Sequence, residues 1–189
     1  MKRFVLFTTI VITIAFAVGC GHSVSQSPPG DQHAGHASGS DNTSPYAGQE
    51  QRDIKALSNS EVNGFLNGEG MGFAKAAELN GYPGPKHVLE LKDALGLPQE
   101  QVAKVSAVFD RMKADAVRIG HEIVENETSL EASFRQGSVS AESLKGQTAE
   151  IERLKGELRY AHLAAHLETK AVMTPEQIAK YNELRGYKH

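Results

Sequence analysis

The stretch PQEQVAKVSAVFDRMKADAVRIGHEIVENETSLEASFRQ, residues 98–136, decides the fold. Its apolar side chains Val102, Val105, Phe109, Met112, Ala116, Ile119, Ile123, Leu130 and Phe134 recur at alternating spacings of three and four, with one polar gap at Asn126 or Glu127. Such spacing gathers a stripe on one face of an α-helix and is out of phase with the two-residue repeat of a strand. The helix runs about 38 residues, on the order of 57 Å at about 1.5 Å per residue. A heptad-like seam of this length requires a partner.

The partner follows directly. Gln136 to Glu142 breaks the pattern, and Ser140 supplies capping chemistry for a restart. Leu144, Ile151, Leu154, Leu158, Ala161, Ala165 and Val172 then repeat at similar spacing. Two long helices joined by a short turn bury facing seams by packing antiparallel. The fold is therefore all-α, a helical hairpin of 98–136 and 140–172 with short flanking helices. On a wheel centred on Leu158, Tyr160, Leu163 and Leu167 fall at about 140–200°, opposite the seam. A helix apolar on two faces needs a second cover. Helices at 71–79 and 175–185, or a second copy of the chain, would provide it; left open, these three residues would form a client or dimer surface.

The flanks are shorter and less regular. Met71 to Leu79 has helical character among Gly64, Gly68, Gly70 and Gly72, and Asn80 to Pro85 is dense in breakers. Lys86 to Leu95 places Val88, Leu91 and Leu95 on one helical face, closed by Gly96. Met173-Thr-Pro-Glu-Gln177 reads as a capping box: Thr174 at the cap, Pro175 at the first helical position, Gln177 three residues beyond the cap. It opens a last helix through Ile178, Tyr181 and Leu184. Leu97-Pro-Gln-Glu-Gln101 occupies the same place at the start of the long helix.

With these two five-residue motifs flanking a hairpin, residues 85–187 resemble the Spy/CpxP and periplasmic heavy-metal-sensor superfamily, whose mark is a Leu-Thr-x-x-Gln motif at helix starts. Each copy departs from it once, with Pro98 in place of Thr and Met173 in place of Leu. The resemblance implies a cradle-like, often dimeric helical fold without catalysis, whose members bind metal ions, restrain stress signalling or hold unfolded proteins. It also implies His, Glu and Met side chains of the hairpin as metal ligands, a usage that His162 and His166 match loosely.

The address is read at the other end. Lys2 and Arg3 precede an uncharged apolar run from Phe4 to Val18, which suits a signal peptide better than a bilayer span of about 20 residues. It ends in Ala17-Val18-Gly19-Cys20, which resembles a bacterial lipobox. Residues 1–19 are thus expected to be a leader and Cys20 the lipidated first residue of the mature chain, anchored on the extracytoplasmic side of the envelope. A plain secretory signal followed by a free cysteine is the alternative. Residues 20–53, rich in Gly, Ser, Pro and His, read as a disordered tether, and 54–189 as the helical domain.

Composition narrows the function. Processing would leave 18 basic against 23 acidic side chains, moving the formal charge from −3 to −5. With no basic run, nucleic acid is not an expected partner. Cys20 is the single cysteine, which excludes an intrachain disulfide and cysteine-based zinc sites. No Gly-x-Ser-x-Gly, phosphate loop or His-Glu-x-x-His occurs, so no catalytic residue is assigned and an enzyme is not expected.

Eight histidines suggest a divalent transition metal, Cu, Zn or Ni. His162 and His166, four apart on the returning helix, can converge on one ion along the flank of the seam. Asp110, expected opposite them, is the oxygen donor to consider; Met173 reads first as a core residue at the helix junction and only second as a soft donor. The ordinary alternative is a half-exposed histidine pair tolerated by Ala-rich packing. His33 and His36 in the tether, near His22, could chelate Cu(II) or Ni(II) or simply be solvated. His121 lies opposite its seam and reads as exposed. The expectation is a metal-binding or metal-responsive envelope-stress accessory. Alternatives are an ATP-independent chaperone for unfolded proteins and a regulatory module docking on an envelope sensor.

Overall fold

The computed structural model describes residues 43–188. The expected leader, Cys20, and His22, His33 and His36 of the expected tether lie outside them. Described residues 43–53, expected to continue the tether, form successive turns closed by Ala47 N–H to Ser44 O at 3.0 Å and Arg52 N–H to Gln49 O at 3.2 Å. All regular structure among the described residues is helical: α1 (Asn59–Leu66), α2 (Lys75–Glu78), α3 (Pro85–Glu90), α4 (Gln99–Arg135), α5 (Ala141–Val172) and α6 (Pro175–Leu184).

The heart of the fold is the α4–α5 hairpin, with boundaries close to those that the spacing predicts. Two ion pairs fix its sense. Lys155 Nζ lies 3.2 Å from Glu127, and Arg111 lies 2.5 Å from Glu168. Residue numbers fall along α4 as they rise along α5, so the helices are antiparallel. Gly137, at φ +65°, ends α4 in a left-handed conformation. There the N–H of Ser138 reaches Ser133 O at 3.0 Å and the N–H of Gly137 reaches Phe134 O at 3.1 Å, satisfying two carbonyls that the helix end leaves open. Ser140 and Ser143 then form a reciprocal cap for α5.

The two motifs at helix starts behave differently, for a simple reason. At α6, Thr174 Oγ1 accepts from Gln177 N–H at 3.2 Å while Gln177 Oε1 accepts from Thr174 N–H at 3.0 Å, the expected capping box. At α4 the cap position is Pro98, which has neither a hydroxyl nor an N–H. Gln101 therefore cannot fold back, and reaches across to donate to Val172 O at 2.7 Å at the end of α5.

Two apolar clusters hold the short helices to the hairpin. Ile54, Leu57 and Phe65 pack on Ala116, Ile119, Ile123, Leu154 and Leu158. Val88, Leu95, Val105, Met173 and Tyr181 form the second. Burying each large aliphatic side chain contributes about 1.5–3 kcal/mol. Gly120 lets α1 approach, because a Cβ there would collide with the Phe65 carbonyl oxygen.

The seam differs from its expected phase. Val108 is buried, whereas Phe109 and Met112 are only partly covered, because α1 and α3 also press on α4 and rotate its buried face. Glu127 fills the expected polar gap as a buried residue, paired with Lys155. Phe134 is 55% exposed at the hairpin tip, away from both apolar clusters. The helix expected at 71–79 shrinks to α2, since Met71 and Gly72 take φ values of 40° and 85° that no helix accepts. The 86–95 helix likewise stops at Glu90 and continues as turns to Gly96.

The expected cover for the far side of α5 is also different. Among the described residues, Tyr160 remains 73% and Leu167 58% exposed, with Leu163 half-buried. α2 packs on α5 at the histidine face instead, where Gly84 and Tyr82 also meet His166.

Candidate functional site

Along α5 the first apolar cluster ends at Leu158 and the second begins at Met173. Along α4 the corresponding interval lies between Ala116 and Val105. Neither cluster fills this middle, and a cleft of about 780 Å³ opens there, walled by both hairpin helices, the 68–75 segment and the start of α3. His162, His166, Glu78, Met71, Met112 and Lys113 are among its lining residues.

His162 is 4% exposed and His166 7%, so both are buried rather than half-exposed as their place on the flank of the seam suggests. The His162 ring lies parallel to Phe73, with centroids 6.4 Å apart and an interplanar angle of 8°. Its Nε2 is buried with no hydrogen-bond partner. A buried polar atom left unpaired costs about 1–3 kcal/mol, so it marks a position where something else binds or where strain is stored. Burial holds the imidazole below its ordinary value of 6.5, and the nearby His166 and Lys113 push it further down. The ring is therefore neutral near pH 7, the form that ligates metal.

His166 is oriented from behind. Its Nδ1 lies 2.7 Å from the carbonyl oxygen of Tyr82. A carbonyl only accepts, so Nδ1 carries the proton and, in the neutral ring, Nε2 carries the free lone pair. Backbone anchoring of one ring nitrogen to aim the other is the usual arrangement behind a metal ligand. Lys170 Nζ sits 3.7 Å above the Tyr82 ring and holds that turn against α5.

Glu78 closes the cleft wall and was not distinguished by sequence. Its Oε1 accepts from Tyr181 Oη at 2.6 Å and Tyr187 Oη at 3.0 Å, and lies 3.5 Å from Arg185 Nε. Its Oε2 is 3.7 Å from His166 Nδ1. Burial, together with this carboxylate, pushes the Tyr181 hydroxyl far above its ordinary value. No sequence signal identifies Glu78, because its partners come from α5 and from the C-terminal end of the chain, far away in sequence.

Asp110 requires correction. Its neighbourhood on α4 is the right one, since Phe109, Met112 and Lys113 all line the cleft, but Asp110 itself is exposed and is not among the lining residues. Its position on the helix turns it away from the face that carries Met112. Met173 is buried in the second apolar cluster, so it acts as core. His121 is exposed as expected. His87, which carries no sequence signal, lines the cleft mouth and lies 2.9 Å from Glu90, holding that carboxyl below its usual range.

Met71 is the one non-glycine residue among those described with a left-handed backbone, at φ 40° between Gly70 and Gly72. Such a conformation costs on the order of 1–3 kcal/mol and persists where surrounding structure imposes it. A Cβ at Gly64 would overlap the Met71 Sδ, so the thioether rests on bare α1 backbone. Lys113 Nζ, donating to the Asn67 carbonyl, ties the same segment to α4.

Among the described residues, no group of three or more His, Cys, Asp and Glu side chains is arranged to hold a metal ion. The arrangement offers two imidazoles four residues apart in a cleft, with carboxylate, ammonium and thioether groups around them. Comparison with protein families, curated proteins and solved structures finds no match to this chain.

Proposed function

We propose that the chain is a metal-binding accessory of the bacterial envelope, tethered through a lipid on Cys20, with His162 and His166 as its principal ligands. The observation that carries this reading is the buried His162 Nε2 without a partner, beside a His166 whose Nδ1 is already engaged. A bound ion would accept both free lone pairs and remove the cost of the unpaired one. The resemblance to the Spy/CpxP and heavy-metal-sensor superfamily points the same way, and so does the lack of catalytic motifs.

Calorimetric titration of residues 43–189 with Zn(II), Ni(II) and Cu(II) tests it, because this stretch omits Cys20 and the tether histidines. One saturable ion per chain, at micromolar affinity or tighter and absent from the His162→Ala/His166→Ala variant, is the expected result. Equal heats from parent and variant would reject the reading.

A second reading has its own observation. Tyr160 and Leu167 are exposed on α5, and a groove beside them carries Arg111, Arg118, Glu157 and Glu168. Apolar side chains within a charged rim suit an unfolded client, a sensor domain or a second copy. Under this reading, Tyr160→Ser/Leu167→Ser abolishes suppression of aggregation of a reduced, unfolded protein without changing ion binding.

A further inference from the structure

We propose that the metal-free cleft binds a small zwitterion, an α-amino acid with an apolar side chain. Its ammonium is held between Glu78 and His166, and its carboxylate by the ammonium of Lys75. The inference stands apart from the metal-binding reading, because it concerns the cleft without an ion.

The ammonium position is a notch at Gly84. That residue has no side chain, and a Cβ built on it would stand 3.1 Å from His166 Nε2 and 3.3 Å from Glu78 Oε2. The two atoms therefore border the same gap. Both are acceptors. The Tyr181, Tyr187 and Arg185 contacts all fall on Glu78 Oε1, and the nearest donor to Oε2, His166 Nδ1, is 3.7 Å away. His166 Nδ1 is engaged by the Tyr82 carbonyl, so in the neutral ring Nε2 offers a lone pair. The two side chains are only 13% and 9% exposed, and acceptors left open in such surroundings carry a desolvation cost that a donor removes. A primary ammonium brings three N–H donors and the charge that complements a carboxylate.

The rest of the lining calls for the opposite charge. Lys75, Lys86, Lys113 and Arg185 line the cleft against Glu69 and Glu78, a positive balance within a chain of formal charge −3. Arg185 is turned to Glu78, and Lys113 donates to the Asn67 carbonyl. Lys75 is exposed and has no ion pair among the described residues. It precedes Glu78 by three residues on α2, so the two side chains are neighbours on one helical face. A plain cation meets repulsion from this lining, and a plain anion leaves the acceptors at Gly84 unanswered. A zwitterion answers both.

Size and polarity fit the same class. A cleft of about 780 Å³ lies in the range of about 300–1,000 Å³ usual for small-molecule sites. Met71, Leu79, Phe109 and Met112 give it an apolar wall, and thioether side chains adapt to the shape they meet.

The test is calorimetric titration of the whole chain, freed of metal on a chelating resin. L-phenylalanine is compared with 3-phenylpropanoate, which lacks the amine, and with phenethylamine, which lacks the carboxylate. L-phenylalanine should saturate one site per chain and bind roughly tenfold or more tighter than either analogue, since each forfeits a charged hydrogen bond. Glu78→Gln should erase its advantage over 3-phenylpropanoate. Gly84→Ala should do the same by filling the notch, and its backbone at φ −80° and ψ 138° accepts alanine. Lys75→Glu, at an exposed position, should weaken L-phenylalanine about fivefold or more without weakening phenethylamine, because attraction for the carboxylate becomes repulsion. Helical circular dichroism checks each variant, and the three-ligand comparison on the parent chain decides the matter even where Glu78→Gln unfolds. If 3-phenylpropanoate binds as tightly as L-phenylalanine, the cleft is a simple anion site and the inference is overturned. Phenethylamine binding as tightly overturns it as well, in favour of a simple cation site. Absence of saturable binding by both L-phenylalanine and L-leucine also overturns it. None of these outcomes bears on metal binding.

Discussion

Gln101 and Gln177, one near the start of each motif helix, pair their amides reciprocally. Gln177 Nε2 donates to Gln101 Oε1 at 2.9 Å, and Gln101 Nε2 donates to Gln177 Oε1 at 3.2 Å. The pair joins α4 to α6, while the Gln101 bond to Val172 O draws in the end of α5. One glutamine thus ties three helices. Gln101→Ala should lower unfolding stability by about 1–3 kcal/mol, since it strands a carbonyl and an amide. A urea-denaturation cycle with Gln177→Ala should reveal a coupling of about 0.5 kcal/mol or more, and strict additivity would show that the pair is incidental.

Protonation of His162 should destabilise the fold. Its folded value lies below the ordinary 6.5, so between the two the unfolded chain binds more protons. The stability associated with the neutral ring is complete above pH 6.5 and is lost as pH falls toward the lowered value. In thermal melts from pH 8 to 5, the parent should therefore lose stability faster than His162→Phe. Parallel pH profiles for the two proteins would contradict this.

Glycines in the long helices should give opposite responses. Gly120→Ala puts a methyl group into the Phe65 carbonyl and should cost about 1–3 kcal/mol through overpacking, despite the better helix former. Gly156→Ala, with nothing within 4 Å of its Cβ, should stabilise by about 0.5–1 kcal/mol. Chemical denaturation of both variants measures the contrast.

Glu127 is buried and Lys155 supplies its counter-charge at 3.2 Å. Removing only the cation with Lys155→Ala should cost about 3 kcal/mol. Replacing both with leucine should come out near neutral or stabilising, since two desolvated charges are exchanged for apolar packing. A double replacement as damaging as the single one would show that the pair is worth more than its desolvation cost.

The residues that were legible in the sequence are those governed by local rules. The hairpin followed from spacing of three and four, the turn from Gln136-Gly137 and Ser140, and the α6 cap from Thr174, Pro175 and Gln177. His162 and His166 were found because i,i+4 spacing puts them on one face regardless of what covers them. Their burial was not legible, since it depends on Phe73 and Tyr82 arriving from an irregular segment. Asp110 illustrates the same limit: hairpin level follows from counting, but α1 and α3 rotate the helix and bring Met112 to the cleft. Glu78 and the left-handed Met71 arise from contacts and backbone geometry that no periodicity encodes.

The Glu78 carboxylate carries a further consequence for how the molecule is made. Its partners Tyr181, Arg185 and Tyr187 emerge from the ribosome more than a hundred residues later. The hairpin can assemble as soon as α5 has been synthesised, because its contacts are between neighbouring helices. The cleft wall must wait for α6 to return. A nascent chain halted before Tyr181 would hold the histidines on an otherwise formed hairpin with an open flank. Translation order thus makes the cleft the last part of the domain to mature, since its wall is complete only once that return has been made.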